Sequence, residues 1–148
     1  MTTLSTRRLD VLTRVAESHT GRAAEVVART RSGLAEQEMR LGELRRYSEE
    51  YRARPMPMAP ALIANRERFL ARLDEAERQQ ARTVETAAQA VRESTQQWLD
   101  RRAGQRKFDT LHDAAAQREA WRAEQWAQKQ MDEFGLRAGA NRLLPDGE

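Results

Sequence analysis

Proline occurs in this chain only at positions 55, 57, 60 and 145, and that placement limits the fold more than any other feature. Each proline removes a backbone donor and pushes its predecessor out of the helical region, so no helix passes through Ala53-Arg54-Pro55-Met56-Pro57-Met58-Ala59-Pro60. Between Pro60 and Pro145 the only weak points are Gly104, Gly135 and Gly139. The spacing predicts a helix over about residues 5–52, a proline-rich loop over 53–61, a second helix over 62–138 that bends or frays near Gly104 and beyond Gly135, and a flexible C-terminal tail over 139–148. At ~1.5 Å per residue the first helix alone would run about 70 Å, longer than a globular fold accommodates. The expectation for the 148 residues is therefore one all-α domain, a long antiparallel coiled-coil hairpin.

Side-chain patterning agrees. Asp10 and Arg14, Glu25 and Arg29, Glu36 and Arg40, Glu50 and Arg54, Asp74 and Arg78, and Glu133 and Arg137 each place an acid four residues before a base, the orientation that supports a helix. An apolar stripe with heptad-like spacing runs through Leu9, Leu12, Ala16, Ala23, Val26, Leu34, Leu41, Leu44, Tyr47 and Tyr51. A second runs through Ile63, Phe69, Leu70, Leu73, Ala76, Val84, Ala87, Val91, Trp98, Phe108 and Leu111. Both are narrow, as a two-stranded seam requires. Thr30 and Gln37 in one, and Gln80 and Ser94 in the other, admit polar groups to that seam.

Folding the chain at the prolines makes the segments antiparallel, with the numbers of facing residues summing to roughly 114. Tyr51 would then meet Ile63, Leu44 would meet Phe69 and Leu70, Val26 would meet Ala87, Ala16 would meet Trp98, and Leu9 would lie near Phe108. Beyond about Leu111 the second helix runs out of partner, yet Trp121, Trp126, Met131 and Phe134 continue an apolar signal. A C-terminal helical overhang of that kind asks for another protein or another copy to pack on.

Composition excludes several other classes. Aromatic residues make up 5% of the chain, and Gly and Pro number only 7 and 4, too little core-forming and turn-forming material for a sandwich, a barrel or a compact α/β enzyme. The absence of Cys removes disulfides, zinc ribbons and thiol nucleophiles, and fits a reducing compartment. The longest uncharged stretch, residues 55–65, contains three prolines, so no membrane-spanning helix can be drawn, and the N-terminal stretch has no secretory apolar run. The pI near 9.9 overstates the basicity: the formal surplus is +3, and all of the 26 basic residues except Lys107 and Lys129 are Arg. The densest basic cluster, Arg101, Arg102, Arg106 and Lys107, is flanked by Asp100 and Asp109. A solvated helix face is the favoured meaning, and an Arg-rich nucleic-acid-binding coiled coil the alternative.

Nothing points to catalysis. Phosphate-binding glycine loops, the nucleophile elbow and the H-E-x-x-H zinc motif are all missing. His19 and His112 are the only imidazoles and lie far apart in the expected register, so neither a His-based dyad nor a metal site is expected, and no cofactor is implied. Asp132 and Glu133 are adjacent and point some 100° apart on a helix. Two readings are open for the aromatics near the loop. Tyr47 and Tyr51 share a face with Arg40 and Leu44, while Phe69, Leu73, Ala76 and Gln80 form a matching stripe on the returning helix. They are either hairpin core or an exposed interface patch. Trp121 and Trp126 stand about 140° apart around a helix, so at least one should face a partner.

The run Trp126-Ala127-Gln128-Lys129-Gln130-Met131-Asp132-Glu133-Phe134-Gly135-Leu136-Arg137-Ala138 resembles the C-terminal signature of the FliJ family of bacterial flagellar export proteins. Leu44, Tyr47, Tyr51 and Arg52 before the loop, and Asn65-Arg66, Phe69, Leu73, Ala76 and Trp98 after it, are similar to the same family. The proline-rich loop and Gly135 depart from its pattern.

The resemblance implies a non-enzymatic, stalk-like escort protein of the flagellar type III export apparatus, cytoplasmic and peripherally associated with the inner membrane. Its implied partners are the hexameric export ATPase, the cytoplasmic domain of the export gate and the substrate-specific export chaperones, with neither nucleic acid nor direct membrane insertion. Arg40, Leu44, Tyr47, Tyr51, Phe69, Leu73, Ala76 and Gln80 would contact the gate; Trp126, Lys129, Met131, Asp132, Glu133, Phe134 and Arg137 would contact the ATPase. The equivalent stalk of a virulence type III system shares these physical features. A self-assembling coiled coil is a further alternative.

Overall fold

The computed structural model describes residues 5–143. Two helices packed against each other account for nearly all of them: α1 spans Thr6–Arg52 and α2 spans Pro60–Leu143. No strand occurs among the described residues. The fold is the expected all-α helical hairpin. Helix α2 passes Gly104 and Gly135 without a break and continues through residues 139–143, which the sequence places in a flexible tail. A glycine costs a helix only about 1 kcal/mol, and the Arg137, Ala138, Ala140, Arg142 and Leu143 around Gly139 are good helix formers that outweigh it. Residues 144–148 lie outside the described range.

Internal packing divides the described residues into two compact units, residues 18–103 and residues 5–17 with 104–143. In the first, α1 turns inward Ala23, Val27, Thr30, Leu34, Gln37, Leu41, Leu44, Ser48 and Tyr51. These positions alternate by four and three residues, the spacing of a coiled-coil seam. Helix α2 answers with Ile63, Arg66, Leu70, Leu73, Glu77, Gln80, Val84, Ala87, Val91, Ser94 and Trp98 in the same alternation. Only Val27, Leu41 and Leu73 among the apolar members, and Ser48 and Ser94 among the polar ones, are buried.

The inward face differs from the expected stripe by one position in several places. Val26 and Tyr47 are 36% and 45% exposed, while Val27 and Ser48 take the seam. An apolar residue beside a seam position looks from sequence like a seam residue, and a serine in the seam hides the true one. Polar rungs cross between the helices. Thr30 Oγ1 and Ser94 Oγ lie 2.8 Å apart, and each also reaches a carbonyl of its own helix, Val27 O and Val91 O respectively. With one proton each, one hydroxyl donates across the seam while the other donates backward. The Gln80 amide donates to both the backbone and the side-chain oxygen of Gln37, at 3.0 and 2.9 Å. Arg52 bonds Asp74, which is therefore turned away from the expected partner Arg78. Of the anticipated four-residue acid-base pairs, Glu36 to Arg40 is formed, at 2.8 Å.

These contacts set a different register from the one expected. Tyr51 faces Phe69 rather than Ile63, and Thr30 faces Ser94 where a residue near 84 was anticipated. The displacement, between one and three helical turns, follows from the loop. Three prolines cannot make a tight turn; the segment after Arg52 instead lies as a strap along the first turns of α2, so α1 stops level with Phe69. The strap is held by Arg66, whose guanidinium donates to the carbonyls of Arg52 at 2.9 Å and Arg54 at 3.3 Å. The Arg52 carbonyl is the last of α1, where intrahelical partners run out, and the Arg54 carbonyl belongs to the strap itself. Pro60 opens α2 at the position where its missing donor costs nothing, with Leu62 and Ile63 donating to Ala59 O.

In the second unit Leu9 and Ala115 are 1% and 3% exposed. Here too the seam is half polar: Thr13 is turned inward where Leu12 was expected, and His112 where Leu111 was expected. His112 Nε2 lies 2.6 Å from Asp10 Oδ1. The hydroxyl of Thr13 is buried with no partner among the described residues. Helix α1 carries no acid in its first turn. Glu119 of α2 supplies one, its carboxylate accepting from Thr6 N at 3.3 Å and Thr6 Oγ1 at 3.0 Å, where the helix dipole and free amides favour a negative charge.

The Thr30 and Ser94 rung yields a test. Ser94→Ala should destabilise the hairpin by about 1 kcal/mol by depriving the Thr30 oxygen of its partner. Thr30→Val combined with Ser94→Ala should recover most of that loss, since two apolar groups then face each other. Urea denaturation of the four proteins reads the coupling, and strictly additive effects would remove the rung from the account of stability.

Candidate protein-docking surfaces

Two groups of exposed aromatic and charged side chains stand out. The first surrounds the end of α1 in the unit of residues 18–103. The Tyr51 and Phe69 rings are 4.6 Å apart, Tyr47 is 6.3 Å from Phe69 with the rings nearly perpendicular, and Tyr47 and Tyr51 are 6.5 Å apart. Such edge-to-face and tilted pairs are worth about 1 kcal/mol each beyond their buried area, so the cluster is a rigid platform. The guanidinium of Arg54 sits 5.1 Å over the Tyr51 ring. Both readings of these aromatics hold in part: Tyr51 and Phe69 are half-buried, and Tyr47 is exposed.

The eight residues expected to form one surface here are divided by the packing. Arg40 and Tyr47 are exposed, and Leu44, Tyr51, Phe69 and Ala76 are half-buried. Leu73 is 8% exposed and the Gln80 amide is engaged by Gln37. These last two are seam residues and have little to offer a partner. The sequence reading missed Arg66, whose role arises only because the closure of the hairpin brings the carbonyls of Arg52 and Arg54 beside it. The clue in sequence was a proline-rich loop, short of backbone donors beyond Ala53 and Arg54, followed six residues after its last proline by an arginine.

The second group lies on α2 beyond Glu119. Every side chain from Ala120 to Leu143 except Gly139 is exposed. Trp121, Trp126, Met131, Phe134 and Leu136 lie between 62% and 78% exposed. All seven residues expected here, Trp126, Lys129, Met131, Asp132, Glu133, Phe134 and Arg137, are exposed side chains of one continuous helix. At 100° per residue Trp126, Glu133 and Arg137 share one face, and Phe134 and Met131 the next. Lys129, Asp132, Glu133 and Arg137 make no ion pair within the described residues, so the anticipated pair between Glu133 and Arg137 is not formed and their charges face outward unpaired. Among the described residues no group of three or more His, Asp or Glu is arranged to hold a metal ion.

Two packed helices with a half-polar seam, an aromatic cluster near the loop and exposed large apolar side chains beyond Glu119 define the class as a helical coiled-coil protein. Residues 5–144 match the family described as the flagellar FliJ protein, and the chain belongs to that family. No curated protein matches it. Membership makes it a structural, chaperone-like component of the bacterial flagellar export apparatus, in agreement with the resemblance seen in the residues before the loop and in the C-terminal run. No helix among the described residues is long and apolar enough to cross a membrane.

Because the C-terminal helix buries nothing, its large side chains can be removed without harm to the fold. Phe134→Ala should change stability by less than about 0.5 kcal/mol, whereas Leu41→Ala in the seam should cost about 2 kcal/mol or more. Thermal unfolding followed by circular dichroism distinguishes them; a large loss from Phe134→Ala would mean that the helix packs against something in the free protein.

Proposed function

We propose that this chain is a non-enzymatic, stalk-like escort protein that couples the hexameric export ATPase to the export gate and carries substrate-specific chaperones between them. The observation that carries the proposal is the helix beyond Glu119, which exposes Trp126, Met131 and Phe134 among unpaired charges. Apolar anchors of this size, rimmed by charge, are what partner surfaces bury at their centres. In this reading the seven residues from Trp126 to Arg137 meet the ATPase, and the cluster near the loop meets the gate. Gate contact falls mainly to Arg40, Leu44, Tyr47, Tyr51, Phe69 and Ala76, with Leu73 and Gln80 holding the platform from beneath.

The mechanism rests on order already present. Helices ordered before binding transmit a displacement that a flexible linker would dissipate. The mixed signs of Lys129, Asp132, Glu133 and Arg137 give weak polar contacts that can be exchanged among ATPase subunits, with the apolar side chains supplying affinity. Its place of action is the cytoplasmic face of the inner membrane at the export apparatus, reached through protein contacts.

The decisive measurement is the ATP hydrolysis rate of the purified export ATPase and its hexamer fraction, with and without this protein. Both should rise. The double variant Met131→Ala with Phe134→Ala should weaken ATPase binding by about tenfold or more at unchanged helicity, and wild-type affinity in that variant would refute the tail assignment. Tyr47→Ala with Tyr51→Ala should spare ATPase stimulation and weaken binding to the gate domain by a similar factor. Undiminished gate binding would count against the aromatic cluster.

A further inference from the structure

The proline strap and the first turns of α2 enclose a groove of about 540 Å³ whose lining includes Arg54, Arg66, Arg68 and Arg72 and no carboxylate. In a chain with almost equal numbers of acids and bases, four cations without an anion in one concavity is a strong local asymmetry. Two of the four are already occupied. Arg66 is turned to the carbonyls of Arg52 and Arg54, and Arg54 lies over the Tyr51 ring. Arg68 and Arg72 are exposed, make no ion pair among the described residues, and stand one helical turn apart. Phe69 and Tyr51 give the groove an aromatic wall, and Pro55 and Pro57 an apolar rim.

We infer that this groove binds a short acidic peptide segment carrying an aromatic or aliphatic side chain. Arg68 and Arg72 pair with two of its carboxylates, and the apolar side chain rests on Phe69 against the strap. Arginine forks suit carboxylates because two parallel bonds form at once, and a volume of this size is that of an ordinary ligand site. The chemistry favours a short segment over a long polyanion: Glu49, Glu50 and Glu67, which lie within two residues in sequence of the lining residues Tyr51, Arg66, Arg68 and Phe69, are exposed and make no ion pair among the described residues, and would oppose the phosphates of a nucleic acid extending past the groove. Prolines leave the strap poor in donors, so recognition runs through side chains rather than by strand addition. This inference rests on reading the surface near the loop as a docking end and adds the chemical class of what docks there.

A fluorescein-labelled peptide alternating Asp and Glu with Phe and Leu, titrated into the full chain with anisotropy readout, tests it. Arg68→Ala with Arg72→Ala should weaken binding about tenfold or more, whereas Arg101→Ala with Arg102→Ala, an equal change of charge elsewhere, should leave it within about twofold. Unchanged helicity by circular dichroism keeps the comparison valid. Equal loss in both variants, no binding by the wild type, or tighter binding of a labelled single-stranded oligonucleotide lost through the same two arginines would overturn the proposal. Binding of the purified gate domain to the same variants is read separately: if it survives while the peptide is lost, the groove stands and its assignment to the gate fails.

Discussion

A hairpin of two helices has a single interface, and each helix can hide only the residues that alternate by three and four along it. That constraint governs the stability of this chain. There is no second layer to bury a misplaced side chain, so the buried residues are few and most side chains are solvated. The rungs formed by Thr30 with Ser94 and by Gln37 with Gln80 occupy positions where leucines would have given more burial. Apolar seams tolerate slippage by a heptad because one leucine is much like another; a hydroxyl or amide that slips loses its partner and is left desolvated. Polar rungs therefore exchange some stability for a defined register.

Both ends of α1 are finished by side chains from α2. Glu119 closes the start of α1 and Arg66 closes its end. Each satisfies backbone groups that the helix itself cannot, and each does so with the charge that the helix dipole prefers. Both caps depend on the register, since a shift of one turn would withdraw the carboxylate from Thr6 and the guanidinium from Arg52. The same register places the strap beside Arg68 and Arg72, so the basic groove follows from how the hairpin is closed.

Where the pairing stops, the surface changes character. Beyond Glu119 the helix is propagated by local propensity alone, and its Trp, Met and Phe side chains are in water. Carrying exposed aromatics is a liability for solubility unless a partner covers them, which is why membership in a flagellar export family and the physical state of this helix agree. Near the loop the aromatics are arranged differently: Tyr47, Tyr51 and Phe69 support one another and present a preorganised surface, so a partner there would find the side chains already ordered.

Helix number, helix type, the break at the prolines and the unpartnered C-terminal run were all legible in the sequence, because each depends on local chemistry: proline geometry, 3.6-residue periodicity and the absence of turn formers. The seven C-terminal candidates came from the family resemblance; the residue pattern by itself pointed to an apolar run, Trp121, Trp126, Met131 and Phe134, continuing past the end of the seam, and those side chains are exposed. What could not be read was which neighbour of each pair faces inward and which residue it meets. Leu12, Val26, Tyr47 and Leu111 look like seam residues, yet Thr13, Val27, Ser48 and His112 occupy the seam. Tertiary structure decided that, along with the two caps, the strap and the cluster of arginines beside it, because register is set by contacts between residues distant in the chain and is free to shift until loop geometry and polar rungs fix it.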